Sequence, residues 1–198
     1  MQGIKLYTER DIARFVRAYH ARNAENLDRG YARIRRDTES ALVSHASKPV
    51  GTLTAKFIQT AKDGTVIGEA DLGLISVGVV TDVGVAFIID AMQNLTEPEL
   101  LKWHASGTGA VAENVTDTVL GTEVESRVAG TQIEGASANI YRTVATVTYT
   151  ATRSITEHGL FSASTAGTIF DRSVFGVINV VSGNKIEFAY EWTLNAGG

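Results

Sequence analysis

Gly107-Thr108-Gly109-Ala110-Val111-Ala112 has the spacing of a GxGxxA turn, which in dinucleotide-binding proteins lets backbone amides approach a pyrophosphate. That chemistry needs a helix N-terminus directly behind the glycines. The residues that follow, ENVTDTVLGTEVE, carry no 3.6-residue apolar stripe, so a flexible glycine turn accounts for the segment. Glu157 and His158 would make an acid/base pair if they faced each other, but neighbours on a strand point to opposite faces. They are expected to be hydrogen-bonded structural residues near the start of a strand. His20, His45, His104 and His158 are scattered, without a second His or a Cys at metal-ligand spacing. Asp117, Glu123 and Glu125 lack the glycine pivot of a cation-binding loop and fit a solvated acidic loop. No catalytic constellation, cofactor site or metal site is expected.

Two arginine clusters raise the question of nucleic acid. Arg10, Arg14 and Arg17 fall on adjoining turns of a helix, and Arg33, Arg35 and Arg36 form a second group. A nucleic-acid face usually keeps its basic stripe clean, whereas Glu9, Asp11, Glu25, Asp28, Asp37 and Glu39 interrupt this one. Mixed signs fit a solvated or inter-subunit helix better than a nucleic-acid arm.

The element carrying these arginines is a long helix, predicted from Thr8 to Ala46. Ile12, Phe15, Val16, Tyr19, Leu27, Tyr31, Ile34 and Leu42 recur at three- and four-residue steps. Thr8 is placed to cap it with Asp11 three residues on, and Pro49 with Gly51 ends it. The stripe breaks over HARNAEN, between Tyr19 and Leu27, which leaves open one bent helix or two. At 1.5 Å per residue the whole would span about 58 Å, more than a compact body of this size needs. Contacts between chains follow as the expectation, with Arg10, Arg14, Phe15, Arg17, Tyr19, Tyr31, Arg33 and Arg36 as the partner-binding residues. Residues 1–50 thus read as a helical arm and residues 51–198 as a body.

Beyond Gly51 the period shortens to two. Nineteen glycines, two prolines and many Val, Thr and Ile favour short strands and turns. Strands are predicted at Leu53–Thr60 and from Val66 onward, joined by a hairpin turn at Asp63-Gly64. Others are expected over 100–105, 140–152, 156–162 and 168–181. Thr81 to Asn94 places Val85, Ile88, Ile89 and Met92 at helical spacing behind a Thr cap, so one short buried helix is expected there. Residues 107–137, without clear period, read as an extended or loop-like excursion. The run Lys185 to Leu194 puts Ile186, Phe188, Tyr190, Trp192 and Leu194 on one side, and Ser182-Gly183-Asn184 before it predicts a hairpin with residues 173–181. With no cysteine, packing alone must hold this body, which suits a reducing cytoplasm. The charged first twenty residues and the lack of a run of about 18 apolar residues predict a soluble chain that is neither exported nor inserted in a membrane. Residues 1–50 carry ten Lys/Arg against six Asp/Glu, and the remainder eight against sixteen. An arm of that sign seeks an acidic surface, whether a partner or a neighbouring copy's body.

Over residues 75–198 the chain resembles a family of tailed-bacteriophage structural proteins. Three signatures carry the resemblance: Gly107-Thr108-Gly109 leading to Asp117-Thr118 and Leu120; Glu157-His158-Gly159-Leu160-Phe161 followed by Asp171-Arg172-Ser173 and Phe175; and the closing strand Lys185 to Leu194. The resemblance implies a mainly β virion module, an antiparallel β-sandwich of jelly-roll-like form that assembles as a symmetric oligomer. Together with the short internal helix and the long N-terminal helical arm, it leads to the expectation of a capsid decoration or cement protein, assembled in the host cytoplasm, that binds the major capsid protein and copies of itself as a homotrimer. A tail or neck component, an adaptor or fibre-attachment protein contacting tail or portal-region proteins, is the alternative.

Overall fold

The structure, a computed structural model, describes residues 8–44 and 50–195, with the backbone alone for 37–44. The first element, α1 (Glu9–Ser44), is one continuous helix of 36 residues. Thr8 closes its N-terminus reciprocally: its hydroxyl accepts from the Asp11 amide at 3.2 Å and donates to the Asp11 carboxylate at 2.8 Å. Ten strands follow. They are β1 (Val50–Thr60), β2 (Val66–Val77), β3 (Val79–Val80), β4 (Trp103–Gly107), β5 (Glu123–Ala129), β6 (Thr131–Glu134), β7 (Ile140–Thr148), β8 (Arg153–Phe161), β9 (Ile169–Val180) and β10 (Lys185–Thr193). A second helix, α2 (Asp82–Met92), stands between β3 and β4.

The protein is therefore mainly β, with two antiparallel sheets and two helices. One sheet has the order β2-β1-β10-β7-β6 and the other β3-β9-β8-β4-β5. Leu53, Phe57, Phe188 and Tyr190 from the first sheet share one core with Ile155, Phe170, Phe175 and Ile178 from the second. The β1–β2 hairpin forms as its Asp-Gly turn requires: Gly64 adopts a φ of +86°, and the Asp63 carboxylate accepts from the Thr65 amide at 3.0 Å.

Three expectations need correction. First, α1 does not stand apart from the body. Phe15 and Tyr19 are buried in the common core, with the Phe15 ring 5.3 Å from that of Phe57, and the helix packs on β2 and β9. Phe15 and Tyr19 find their cover on their own chain, each gaining about 1.5–3 kcal/mol from burial, while Tyr31 stays exposed. The break in the apolar stripe is filled by Asn23, fully buried, whose Nδ2 donates to Ile75 O and whose Oδ1 accepts from the Gly176 amide, both at 2.6 Å. One amide side chain thus satisfies the backbone of two strands in different sheets.

Second, β9 and β10 do not form a hairpin. The turn at 182–184 exists, with Gly183 at φ +90°, but it carries the chain from one sheet to the other. The Gly183 amide donates to Tyr149 O at 2.8 Å, and the Tyr149 amide to Asn184 O at 2.9 Å. The closing strand then lies between β1 and β7 in the middle of its sheet, with Ile186, Phe188 and Tyr190 wholly buried. Third, residues 107–137 contain β5 and β6. Both are edge strands: β5 leans Val124 and Val128 on the core but is broken at Glu125, φ +60°, and β6 is four residues long and mostly exposed, so neither shows the full alternation that marks a half-buried strand.

Candidate interaction site

The glycine turn at 107–109 does cradle an anion, but the anion belongs to the protein. The Glu157 carboxylate accepts from the backbone amides of Gly109 (2.8 Å), Gly121 (2.9 Å) and Thr122 (2.8 Å), and from Arg172 Nε and Nη2 at 3.1 and 2.9 Å. A Cβ on Gly107 or Gly109 would stand 2.5 or 2.4 Å from Glu157 Oε1, which is why these positions carry no side chain. Burial works to raise the pKa of Glu157, but the amides and the guanidinium outweigh it and hold the carboxyl below its usual range. Arg172 continues to Asp117 at 2.8 Å and to Val111 O at 3.1 Å. Across the loop, Arg29 and Arg33 of α1 close on Glu113 at 3.2 and 3.0 Å. Residues 108–122 are therefore an irregular but anchored segment, and they hold Val111, Val115 and Val119 out in solvent.

Glu157 and His158 do point to opposite sides. His158 enters the core, its Nε2 2.9 Å from His104 Nδ1, while His104 Nε2 lies 3.2 Å from Thr143 Oγ1. Burial depresses both imidazoles, His104 to about 3, so the pair is neutral. His20 is exposed on α1, and His45 lies outside the described residues. Asp117, Glu123 and Glu125 do not converge: their carboxylates go to Arg172, Arg127 and Thr150. Among the described residues no group of three His, Cys, Asp or Glu is placed to hold a metal, and no helix is long and apolar enough to cross a membrane.

Asp171 is the buried acid that the sequence patterns did not single out by chemistry. Its Oδ1 accepts from Ser173 Oγ at 2.9 Å, and a Cβ at Gly51 would stand 2.5 Å from both its Oδ2 and the Tyr190 hydroxyl. Burial raises its pKa to about 7, opposed by Ser173 and by Arg33, and reinforced by Glu113. A carboxyl raised in the folded state adds stability that is full below about pH 4 and lost as pH rises through about 7. His104 and His158 act oppositely, adding stability above about pH 6.5 that is lost on acidification. Comparing Asp171→Asn with the native chain cancels the histidines. Between pH 6 and pH 8 the difference in unfolding free energy should shift toward the variant by about 1 kcal/mol, as read by urea titration at the two pH values.

The surface feature that stands out is α2. Of its expected inward stripe, Val85, Ile88, Ile89 and Met92, three members face solvent: Val85, Ile89 and Met92 have exposures of 44, 47 and 74%. The helix instead buries Gly84 and Phe87, with Ile88 packed partly against the core. Two local features set this rotation. Thr81 caps the helix by accepting from the Gly84 amide at 2.9 Å while donating to Ile169 O at 2.7 Å. Gly84 lies so close to β9 that a Cβ would meet Phe170 O at 2.5 Å. Just past the helix Leu95 is 70% exposed, and residues 81–101 include Asp82, Asp90, Glu97 and Glu99, all exposed, and no Lys or Arg.

Beside the ridge opens an apolar cleft of about 270 Å³ lined by Ile88, Pro98, Leu101, Tyr141, Phe170 and Trp192. The Asp82 amide donates to Val115 O at 2.8 Å, which sets the valine-bearing loop against the start of α2. An apolar ridge bordered by a cleft and by an anchored apolar loop has the composition of a contact surface.

The residues expected to bind a partner divide. Phe15 and Tyr19 are core, so no second molecule can reach them in this fold. Arg33 is engaged by Glu113 and by the carbonyls of Val77 and Gly78. Arg10, Arg14, Arg17, Tyr31 and Arg36 remain exposed on the outer side of α1. No protein-family model, no curated protein and no solved structure matches the chain.

Proposed function

We propose that this protein is a structural component of a bacteriophage virion, a capsid decoration or cement protein that binds over the joints between major capsid subunits. The observation that carries the proposal is the rotation of α2, which meets the core with Phe87 and Ile88 and leaves Val85, Ile89 and Met92 in solvent. Natural folds hold such a surface where another molecule covers it. The resemblance of residues 75–198 to phage structural proteins supplies the class of that molecule. The inward ionisable groups fit a structural role, since Glu157, Arg172, His104 and His158 are turned to one another or to the backbone.

The architecture that suits this role is a β-sandwich of jelly-roll type. Supporting it, the first and last strands pair in both layers, β1 with β10 and β3 with β9. The chain also passes between layers from β7 to β8 and again from β9 to β10. Quantitative mass spectrometry of purified particles tests the proposal. Copy numbers on the order of hundreds are expected for a capsid role, about six to eighteen would assign the chain to the tail or neck, and absence from the particle would overturn the virion reading.

A further inference from the structure

We infer that the outward face of α2 is covered by the outer face of α1 from a second copy of the chain, so that copies join head to tail. The two faces are matched in charge. The α2 side presents Val85, Ile89, Met92 and Leu95 among exposed Asp82, Asp90, Glu97 and Glu99. The α1 side presents Arg10, Arg14, Arg17 and Arg22 exposed, with Ala18 and Ala21, also exposed, between them, and the exposed acids of the helix, Glu9, Glu25 and Asp28, lie at the two ends of this stretch. Small side chains between the arginines let a second helix approach closely while the guanidinium groups reach the acids at its margin.

The faces cannot satisfy each other within one chain. Asn23 fixes the rotation of α1 on β2 and β9, and Thr81 fixes that of α2 on β9. With copies joined head to tail, α1 of one meeting α2 of the next, the contact is heterologous and closes into a ring when the rotation between copies allows it. A ring of three is the arrangement that suits a threefold capsid position. The inference rests on the reading of α2 as an assembly surface, but it needs no capsid to operate.

Light scattering on the purified full-length chain tests it. At micromolar concentration and low salt the expected mass is a multiple of the 21.2 kDa chain, falling toward one chain as salt rises. Arg14→Glu with Arg17→Glu should weaken association at least tenfold, and so should Asp90→Arg with Glu97→Arg. All four changes together restore the match and should restore the mass. All four positions are exposed, and unchanged circular dichroism confirms that the variants fold. A single-chain mass for the native protein at every concentration overturns the inference, as does association that ignores both charge reversals. Absence of the chain from particles, with these masses as expected, would instead remove the virion reading and leave the interface standing.

Discussion

Tyr19→Ala is expected to lower the stability of the fold by about 3–5 kcal/mol, while Tyr19→Phe should leave it unchanged or raise it. Tyr19 is fully buried in the core that both sheets share, so truncation leaves a cavity that neighbouring strands cannot all close. Its hydroxyl has no hydrogen-bond partner among the described residues, and burial pushes its pKa up. Deleting that oxygen therefore removes an unsatisfied polar atom, whereas deleting the ring removes packing. Denaturant titration of the two variants separates these effects. For the same reason a chain starting at Val50 should not give a folded body: without α1 the ring of Phe57 loses Phe15, the shared core loses Tyr19, and Ile75 O and the Gly176 amide lose Asn23. A soluble truncated body with a cooperative thermal transition would show that α1 is an appendage after all.

Asn23 shows where the sequence could be read and where it could not. The stripe from Ile12 to Tyr19 and the resumption at Leu27 made the helix plain. An asparagine at the central inward position looked like a break because its partners, Ile75 and Gly176, lie 52 and 153 residues away. The C-terminal strand was legible in the same partial way. Alternation identified Lys185 to Thr193 as a strand, but a tight turn with Gly183 serves equally for a hairpin and for a corner between sheets, and only the bonds to Tyr149 decide. The edge strands β5 and β6 left no full alternation to read.

Two of the three signatures behind the phage resemblance prove to be neighbours in space. Gly109, Glu157, Arg172 and Asp117 come from separate signatures or separate parts of one, yet form a single chain of hydrogen bonds that holds the loop carrying Val111, Val115 and Val119. Their spacing along the sequence resembled chemistry because glycines beside a buried carboxylate obey the same geometric demand as glycines beside a phosphate: a backbone amide must approach an oxygen with no Cβ in the way. For α2 the spacing finds the helix and one of its inward residues, Ile88, but not the rotation of the rest. Val85, Ile89 and Met92 share a face, as their spacing requires, but Gly84 against Phe170 and the Thr81 cap turn that face outward. Nothing in the spacing says which face of an apolar helix meets the core, and here the discrepancy itself marks the surface.

The incorporation of Ile89→Arg into particles assembled in cells that supply the chain in trans tests the central claim most directly. Ile89 lies at the middle of the exposed ridge and is 47% exposed, so an arginine there can keep its charge in water and the folded chain should retain its thermal midpoint within a few degrees. Against a covering partner, the same arginine must be desolvated on an apolar ridge, and against the basic side of α1 it also meets charge of its own sign. The account predicts native stability with copy number per particle reduced at least tenfold. Incorporation of the folded variant at the native level would show that the outward face of α2 is not where this protein assembles.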